Sequence, residues 1–317
     1  MELRLLRTFR AVASAGSFTR AAADLGYVQS NVTAQIKALE REVGTPLFER
    51  LGRRIVITDA GRRLLPYAER ILRLAEEASE ELRSAGDEVA GTLRIGAAET
   101  LCAYRLPAVL RSLGARFPRL RVVFRPASRS ALLADLSAAR LDAALLLEEP
   151  VSAPDLTVET LCAEPVLFVA APDHRLAAAD RVTAADLATE PVIQVEEDCA
   201  HRQVVDRELR AAGIDPPVLA EFANLEAVKR CAVAGLGVAA LPAVAVEAEL
   251  ARGELVTLPW VRPDALSRND FGLRTQAVRL TRRAPSPALT ALLDTARTQW
   301  AVMSTVDGHR AGRVVSG

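Results

Sequence analysis

Hydrophobic residues near the start of the chain recur every three or four positions, which predicts three consecutive helices. The apolar positions of the first helix are Leu5, Leu6, Phe9, Val12 and Ala13. The second helix is predicted over Phe18–Leu25 with Ser17 as its N-cap, and the third runs from about Val28 to Val43. Gly26 separates these two helices. Two helices joined by a tight turn that contains glycine predict a helix-turn-helix.

The third helix combines an apolar face with a polar face that is rich in amides. The second helix of a helix-turn-helix enters the major groove of DNA, where Asn and Gln side chains can bond adenine through two atoms. We expect this helix and the start of the preceding one to contact DNA. The candidate residues are Ser17, Thr19, Arg20, Gln29, Ser30, Asn31, Thr33, Gln35 and Lys37. The alternative is a plain three-helix domain whose polar face is only exposed.

Two short apolar runs, Leu47-Phe48 and Ile55–Ile57, predict a hairpin after the third helix. Arg50, Arg53 and Arg54 surround its turn. Arginines on such a wing would neutralise phosphates, which sets affinity and register rather than sequence choice. We therefore expect residues 1–58 to form a winged helix-turn-helix, all-α with a small β wing.

Residues 59–90 are predicted to form one long linker helix with Thr58 as its cap. Its apolar positions step by three or four, as in a coiled-coil seam. They are Leu65, Ala68, Leu72, Ala75, Ala78 and Leu82. Pro66 lies in the second turn, so we expect it to kink the helix or to mark its effective start. We expect the helix to pair two subunits; the alternative is a solvated helix packed on its own domain.

From residue 91 to about residue 300, short apolar strands alternate with helices, which predicts an α/β body with parallel-type sheets. The strands are predicted near residues 92–97, 121–124, 143–147, 166–170, 192–195, 238–241 and 277–280. Two such units joined by two crossings of the chain would make two lobes around a cleft. Ligands of such sheets bind beyond the carboxyl ends of the strands. Residues 301–317 are predicted to be a disordered tail.

The charges of the chain cancel, with 40 basic and 40 acidic residues, but they are unevenly distributed. Residues 1–58 carry 9 basic and 5 acidic residues, a net charge of +4. Residues 59–90 carry 5 basic and 8 acidic residues, a net charge of −3. A basic head on a nearly neutral body is typical of nucleic-acid-binding proteins.

The sequence contains no run of about 18 apolar residues and no N-terminal signal sequence, so we expect a cytoplasmic protein that does not bind membranes. We find no serine-hydrolase, zinc-protease, P-loop or dinucleotide-binding motif, and the three histidines are dispersed. We therefore expect neither an enzyme nor a bound metal or cofactor. A solute-binding protein of a transporter would need a signal peptide, and its function would leave the basic head unexplained.

The segment SFTRAAADLGYVQSNVTAQIKALEREVGTPLFERLGRRIVITDAG resembles the N-terminal domain of LysR-type transcriptional regulators. The resemblance implies two winged heads paired by the linker helix on a pseudo-palindromic promoter site, commonly within a dimer of dimers. Val28 departs from the usual capping Ser and is expected to weaken the helix cap by about 1 kcal/mol. Asn31 replaces a common Ala and offers a further base-reading amide, and Thr33 replaces a common Ser.

The stretches YRLPAVLRSL, FPRLRVVF, ARLDAALLL, AVAGLGVAALP and PALTALL resemble the LysR-type effector-binding domain, which is similar to periplasmic binding proteins. The resemblance places this domain at 91–300, with lobe I at 91–161 and 268–300 and lobe II at 162–267. It implies effector-binding positions in the cleft. These are Thr100, Cys102, Ser128, Ser130, Glu148, Cys199, His201, Arg202 and Asn224. Since His201 and Arg202 would be cationic, we predict a small anionic effector; Thr100, Ser130 and Asn224 can instead be helix caps.

Two of the four cysteines, Cys102 and Cys199, are predicted at helix starts on opposite lobes, where a thiol pKa is lowered. An alternative function is therefore a redox-sensing regulator that uses Cys199, with Cys102 as its partner. Peroxide-sensing LysR-type relatives have a second cysteine about one helix later, but Glu208 stands at that position here. Cys162 and Cys231 are expected in the packed core. A further alternative is an architectural DNA-binding protein that responds to no signal.

Overall fold

The computed structural model describes residues 1–51, 54–83, 89–261 and 270–310. The chain divides into two compact units, the first made of residues 1–91 with 137–140 and the second of the remaining residues. In the part of the chain that is described, no helix is both long enough and apolar enough to cross a lipid bilayer.

Within its described residues, the first unit contains four helices and a small hairpin. Its elements are α1 (Leu3–Ala15), α2 (Phe18–Leu25), α3 (Gln29–Val43), β1 (Phe48–Leu51), β2 (Arg54–Ile57) and α4 (Asp59–Arg83). The hydroxyl of Ser17 caps α2 by accepting a hydrogen bond from the Arg20 amide. Glycines in the left-handed conformation end the first three helices, at Gly16, Gly26 and Gly44. The helices and the hairpin therefore follow the sequence-based prediction closely.

The apolar stripes of these helices converge on one core. Its buried members include Leu6, Phe9, Val12, Val32, Ile36, Leu39 and Leu47. Two residues of α4, Ala68 and Leu72, are also fully buried in this core. The predicted dimer seam is therefore wrong at these positions, because they pack inside their own unit. A different stripe of α4 is exposed, including Tyr67 (64 % exposed) and Leu74 (66 % exposed).

Proline and glycine have defined places at the start of α4. Pro66 lies inside α4, which continues through it to Arg83. The hydroxyl of Thr58 accepts from the Gly61 amide and donates to the Pro46 carbonyl, so the predicted cap is confirmed. A Cβ at Gly61 would lie 2.4 Å from the carbonyl oxygen of Leu47, so only glycine fits this close approach. Residues 84–88 of the predicted linker lie outside the described residues.

In the part of the second unit that the structure describes, two five-stranded sheets form two lobes. The first sheet has the order β4-β3-β5-β12-β6, and the second has the order β11-β7-β10-β8-β9. The first-lobe strands are β3 (Gly91–Ala97), β4 (Leu120–Pro126), β5 (Ala143–Glu148), β6 (Leu156–Ala163) and β12 (Arg274–Leu280). The second-lobe strands are β7 (Val166–Ala170), β8 (Val192–Val195), β9 (Val218–Phe222), β10 (Val238–Pro242) and β11 (Val256–Thr257).

Helices cover both sheets. In the first lobe they are a π-helical turn (Leu101–Arg105), α5 (Leu106–Arg116), α6 (Arg129–Ser137) and α11 (Pro287–Arg310). In the second lobe they are a 3₁₀ turn (Arg175–Ala178), α7 (Ala184–Leu187), α8 (Ala200–Ala211), α9 (Leu225–Val233) and α10 (Ala243–Arg252). The chain passes from the first lobe to the second between β6 and β7, and it returns between β11 and β12.

The prediction of an α/β body is confirmed, but the sheets are mixed rather than parallel. β12, which follows the second crossing, runs antiparallel to both β5 and β6 in the first sheet. In the second sheet β10 runs antiparallel to β7. The strands β6, β9 and β11 and the helix α10 were not predicted. The expected tail also begins too early, because α11 continues to Arg310 and residues 301–307 contain no glycine or proline to stop it. Residues 311–317 lie outside the described residues.

Candidate nucleic-acid interface and inter-lobe cleft

The helix α3 presents a polar surface that is not needed for packing. Gln29, Ser30, Asn31 and Lys37 are exposed, and Thr33 is half-buried with its hydroxyl bonded to the Gln29 carbonyl. Val28 occupies the N-cap position, and its apolar side chain makes no capping hydrogen bond. Four of the predicted base-reading or phosphate-binding side chains of α3 are thus accessible to a partner.

Gln35 is a correction to the predicted interface. It is 5 % exposed, and its amide oxygen accepts from the hydroxyl of Thr8 on α1. Its amide nitrogen donates to the side-chain oxygen of Asn31 at 2.8 Å. Because α3 turns this position towards the core, Gln35 positions Asn31 and joins α1 to α3, and it does not reach a base edge itself.

The start of α2 lies beside the start of α3. The hydroxyl of Thr19 donates to the side-chain oxygen of Gln29 at 3.2 Å, and Arg20 is exposed next to it. Ser17 is half-buried and acts as the N-cap of α2, which explains its presence without a DNA contact. Thr19 and Arg20 therefore extend the exposed surface of α3.

The wing is held against α3 by one carboxylate. Glu40 on α3 accepts hydrogen bonds from the backbone amides of Leu47 and Phe48, at 2.8 and 3.3 Å. β1 and β2 pair antiparallel, and Arg50 and Arg54 belong to these strands, at 48–51 and 54–57. Arg53 lies outside the described residues.

On the first lobe, the predicted effector-binding residues follow the strands β3, β4 and β5. Ser128 and Ser130 are exposed, with their hydroxyl oxygens 3.2 Å apart. Thr100 is half-buried and makes no capping bond. Glu148 ends β5 and pairs with Arg129 at 2.8 Å, while burial raises the pKa of its carboxyl. The predicted effector-binding residues of the first lobe are therefore hydroxyls and a paired carboxyl at or after the ends of these strands.

On the second lobe, Asn224 is a helix cap, which was the alternative to its interpretation as an effector-binding residue. Its side-chain oxygen accepts from the Ala227 amide at 2.8 Å at the start of α9. Cys199 stands before α8 and is half-buried. Burial is the main cause that raises the pKa of both Cys199 and Cys102. The carboxylate of Glu99, on the first lobe, raises both pKa values further.

The prediction that His201 is a cationic cleft residue is wrong. His201 is 5 % exposed, and burial lowers its pKa to about 4, so the ring is neutral at pH 7. Its Nε2 atom has no hydrogen-bond partner among the described residues. The residue faces inward with Val204 and Val205, because α8 directs this position to the lobe core.

The side chain of Arg202 is present as predicted but is already bonded within its own lobe. Its guanidinium pairs with Asp206 at 3.2 Å and Glu221 at 2.6 Å, and it donates to the Val195 carbonyl. The side chain is 10 % exposed. A ligand anion would have to replace these carboxylates. Of the two residues on which the prediction of an anionic effector rested, Arg202 is therefore already paired and His201 is neutral.

The predicted lowering of the Cys199 pKa is also wrong. Burial raises its pKa to about 11, and the carboxylates of Asp198, Glu196 and Glu99 raise it further, while Arg202 opposes them weakly. Burial is the largest of these causes. Cys162 is buried as predicted, and burial raises its pKa to about 12.

Several residues that join the two lobes were missed. Arg207 on α8 pairs with Glu149 after β5, and Tyr104 contacts Lys229 on α9. One signal was available: Lys229 is one of only two lysines among 40 basic residues, which fits a position where a compact ammonium is needed. Within the described residues, no group of three or more His, Cys, Asp or Glu side chains could hold a metal ion.

Comparisons with known proteins agree with this architecture. Residues 3–62 match the family described as bacterial regulatory helix-turn-helix protein, lysR family, and residues 86–301 match the LysR substrate binding domain. The uncharacterized HTH-type transcriptional regulator YwqM of Bacillus subtilis is 40 % identical over 261 residues, which cover 82 % of this chain and 88 % of YwqM. GltR of the same organism is 30 % identical, covering 92 % of this chain and 95 % of GltR.

Two solved structures share the fold. A cysteine-to-aspartate variant of full-length OxyR from Pseudomonas aeruginosa has a TM-score of 0.70 at 24 % identity, covering 94 % of this chain and 95 % of OxyR. Full-length CbnR in complex with its target DNA has a TM-score of 0.66 at 22 % identity, covering 94 % and 99 %. The relatives are transcriptional regulators, in keeping with the expectation of a protein that is not an enzyme. The chain belongs to the LysR family of DNA-binding transcriptional regulators.

Proposed function

We propose that this regulator binds a pseudo-palindromic promoter site as a dimer and alters its contacts with DNA when a small molecule enters the cleft between the lobes. The exposed polar surface of α3 carries the DNA part of the proposal. Gln29, Ser30 and Asn31 are suited to base edges, and Arg20 and Lys37 are suited to phosphates. We assign Arg50, Arg53 and Arg54 of the wing to the flanking phosphates.

The exposed stripe of α4 supports dimerisation. Tyr67, Leu74 and Ala78 are spaced by seven and four residues, which is the spacing of a coiled-coil seam. Ile71 lies between them but is half-buried against the core of the first unit. Tyr67 and Leu74 are about two-thirds exposed, and Ala78 is exposed. Large apolar side chains in this pattern favour a second copy of the helix. Assembly of two dimers is an extension of the same proposal.

The cleft is the proposed effector site because polar residues of both lobes follow the strands there. Thr100, Ser128 and Ser130 supply hydroxyls. The charges that act on Cys199 are mainly acidic, since Asp198, Glu196 and Glu99 raise its pKa after burial and Arg202 opposes them. We therefore propose a neutral or cationic effector that donates hydrogen bonds, in place of the anion that the sequence indicated.

The test is enrichment of sheared genomic DNA of the source organism by the purified protein, followed by footprinting of the enriched site. We expect a protected pseudo-palindrome, because a dimer presents two heads related by symmetry. Small amines, amino acids and sugars are then screened for a change in the footprint. A variant with Ser128 and Ser130 both replaced by Ala should lose the response while keeping the DNA site. Failure to enrich any site would contradict the DNA part of the proposal.

A further inference from the structure

Two sets of side-chain contacts join the lobes across the cleft. In the first, Arg207 on α8 forms a two-point ion pair with Glu149, the residue that follows β5. The Nη1–Oε2 distance is 2.9 Å and the Nη2–Oε1 distance is 2.7 Å. Both side chains are accessible, at 60 % and 49 % of their surface. Two parallel hydrogen bonds give this pair a defined geometry that one salt bridge alone would lack.

The second set connects the π-helical turn of the first lobe to α9 of the second. The hydroxyl of Tyr104 donates to Glu226 at 3.1 Å and lies 3.4 Å from the Lys229 ammonium. The same ammonium lies 5.0 Å from the centre of the tyrosine ring, a cation–π distance. Tyr104 of the first lobe therefore contacts both a carboxylate and an ammonium of the second lobe.

The second lobe holds Lys229 in place without help from the first. Its ammonium pairs with Glu226 at 2.8 Å and Glu249 at 3.2 Å, and it donates to the Ala245 carbonyl. The residue is 5 % exposed. Tyr104 is therefore the part of this contact that opening of the cleft would remove, while the Lys229 cluster would stay intact.

We infer that Arg207–Glu149 and Tyr104–Glu226–Lys229 are two clasps that hold the lobes together before an effector binds. The clasps set how often the empty cleft opens, and an effector that replaces or separates them shifts this population. This inference rests on the proposed function of the cleft as the effector site. Arg207 and Glu149 are largely accessible, and the hydroxyl of Tyr104 contributes a single inter-lobe hydrogen bond to Glu226, so each clasp is expected to change the open population by about twofold to fivefold.

Native thiols report the opening. Cys102 and Cys199 lie on opposite lobes and are half-buried, while the buried Cys162 serves as an internal reference. The full-length protein is treated with N-ethylmaleimide, and the labelling rate of each cysteine is measured by mass spectrometry. The variants are Arg207→Gln and Tyr104→Phe, each of which removes an inter-lobe contact and leaves its own lobe intact. The matched control is Arg210→Gln, because Arg210 lies on the same helix and pairs only with Asp206 of its own lobe among the described residues.

We expect each variant to label Cys199 about two to five times faster than the wild type, and the double variant to show the product of the two effects. Arg210→Gln should label at the wild-type rate. A double variant with Arg207→Glu and Glu149→Arg exchanges the two charges and should restore the slow labelling of Cys199. Equal rates in the wild type, both variants and the control would overturn the inference. If a screened ligand still protects Cys199 in that case, the proposed cleft function stands and only the clasps fail.

Discussion

Arg105 and Glu164 form a buried two-point ion pair at the place where the chain crosses between the lobes. The Nε–Oε1 distance is 3.0 Å and the Nη2–Oε2 distance is 2.9 Å, with 5 % and 0 % of the side chains exposed. Thr275 donates to the same carboxylate, and the Glu164 amide donates to the Leu273 carbonyl. Glu164, which lies where the chain leaves the first lobe, is therefore bonded to the segment by which the chain returns to it.

Replacement of Glu164 by Ala is expected to destabilise the body by about 3–5 kcal/mol, because it leaves the buried Arg105 without its counter-charge. Urea unfolding followed by tryptophan fluorescence measures the change. The matched control is Glu159→Ala, which removes an exposed pair with Arg297 and should cost about 0–1 kcal/mol. Equal midpoints for the two variants would contradict the role of the crossing pair.

The buried His201 predicts a loss of stability in acid. Burial lowers its pKa to about 4 in the folded protein, whereas an unfolded histidine has a pKa of about 6.5. As the pH falls below 6.5 the unfolded chain takes up the proton first, so stability is full above this range and decreases down to about pH 4. Between pH 7 and pH 5 the wild type should lose about 1–2 kcal/mol more than His201→Gln, which does not titrate. Parallel pH curves of unfolding free energy for the two proteins would refute the buried neutral histidine.

The high pKa of Cys199 predicts a thiol that is unreactive near neutral pH. The thiolate is the nucleophile, and a pKa of about 11 leaves little thiolate at pH 7. The alkylation rate of Cys199 should therefore keep rising beyond pH 9, and dilute peroxide should leave the DNA footprint unchanged. A midpoint below pH 8 would contradict the raised pKa. A footprint that changes on oxidation in the wild type and does not change in Cys199→Ser would establish the redox-sensing alternative.

The exposed stripe of α4 predicts that Leu74→Glu weakens dimerisation. A carboxylate facing an apolar seam would be buried without a partner, so the dimer dissociation constant should rise by about tenfold or more, equal to ~1.4 kcal/mol. Sedimentation at several concentrations measures it. Ser79→Glu is the matched control, since it introduces the same charge on the same helix away from the stripe. Equal dissociation constants for the two variants would show that α4 pairs by another face or not at all.

The local elements of the head were predictable because caps, glycines and helical spacing act over a few residues. The assignment of faces was less reliable, as Gln35, Ala68 and Leu72 show. Each lies on a stripe whose partner is distant in sequence, so the spacing alone did not reveal whether it faces the core or a partner. The mixed sheet has the same cause, because the pairing of β12 with β5 and β6 joins residues more than a hundred positions apart.

The polar residues at the strand ends were predictable in position but not in charge. The order of strands and helices places polar residues at the strand ends, and these were found. The sequence does not show, however, that Arg202 is held by Glu221 and Asp206, or that His201 turns inward. Arg207 and Tyr104 were missed because their partners lie 58 and 122 or more residues away.

The most direct test of the account compares Asn31→Ala with Gln35→Ala on the enriched DNA site. Asn31 is exposed on α3, so its loss should reduce discrimination against altered bases by about 1–3 kcal/mol while leaving the fold stable. Gln35 is buried and bonded to Thr8, so its loss should lower the stability of the head by about 1–3 kcal/mol. Because Gln35 also bonds Asn31, its loss should change base preference in the folded fraction, but by less than Asn31→Ala does. Binding titrations on the site and on single-base variants, with unfolding curves for each protein, separate the two effects. Unchanged base preference in Asn31→Ala, together with altered preference in Gln35→Ala, would contradict the assignment of the exposed face of α3 as the DNA-reading surface.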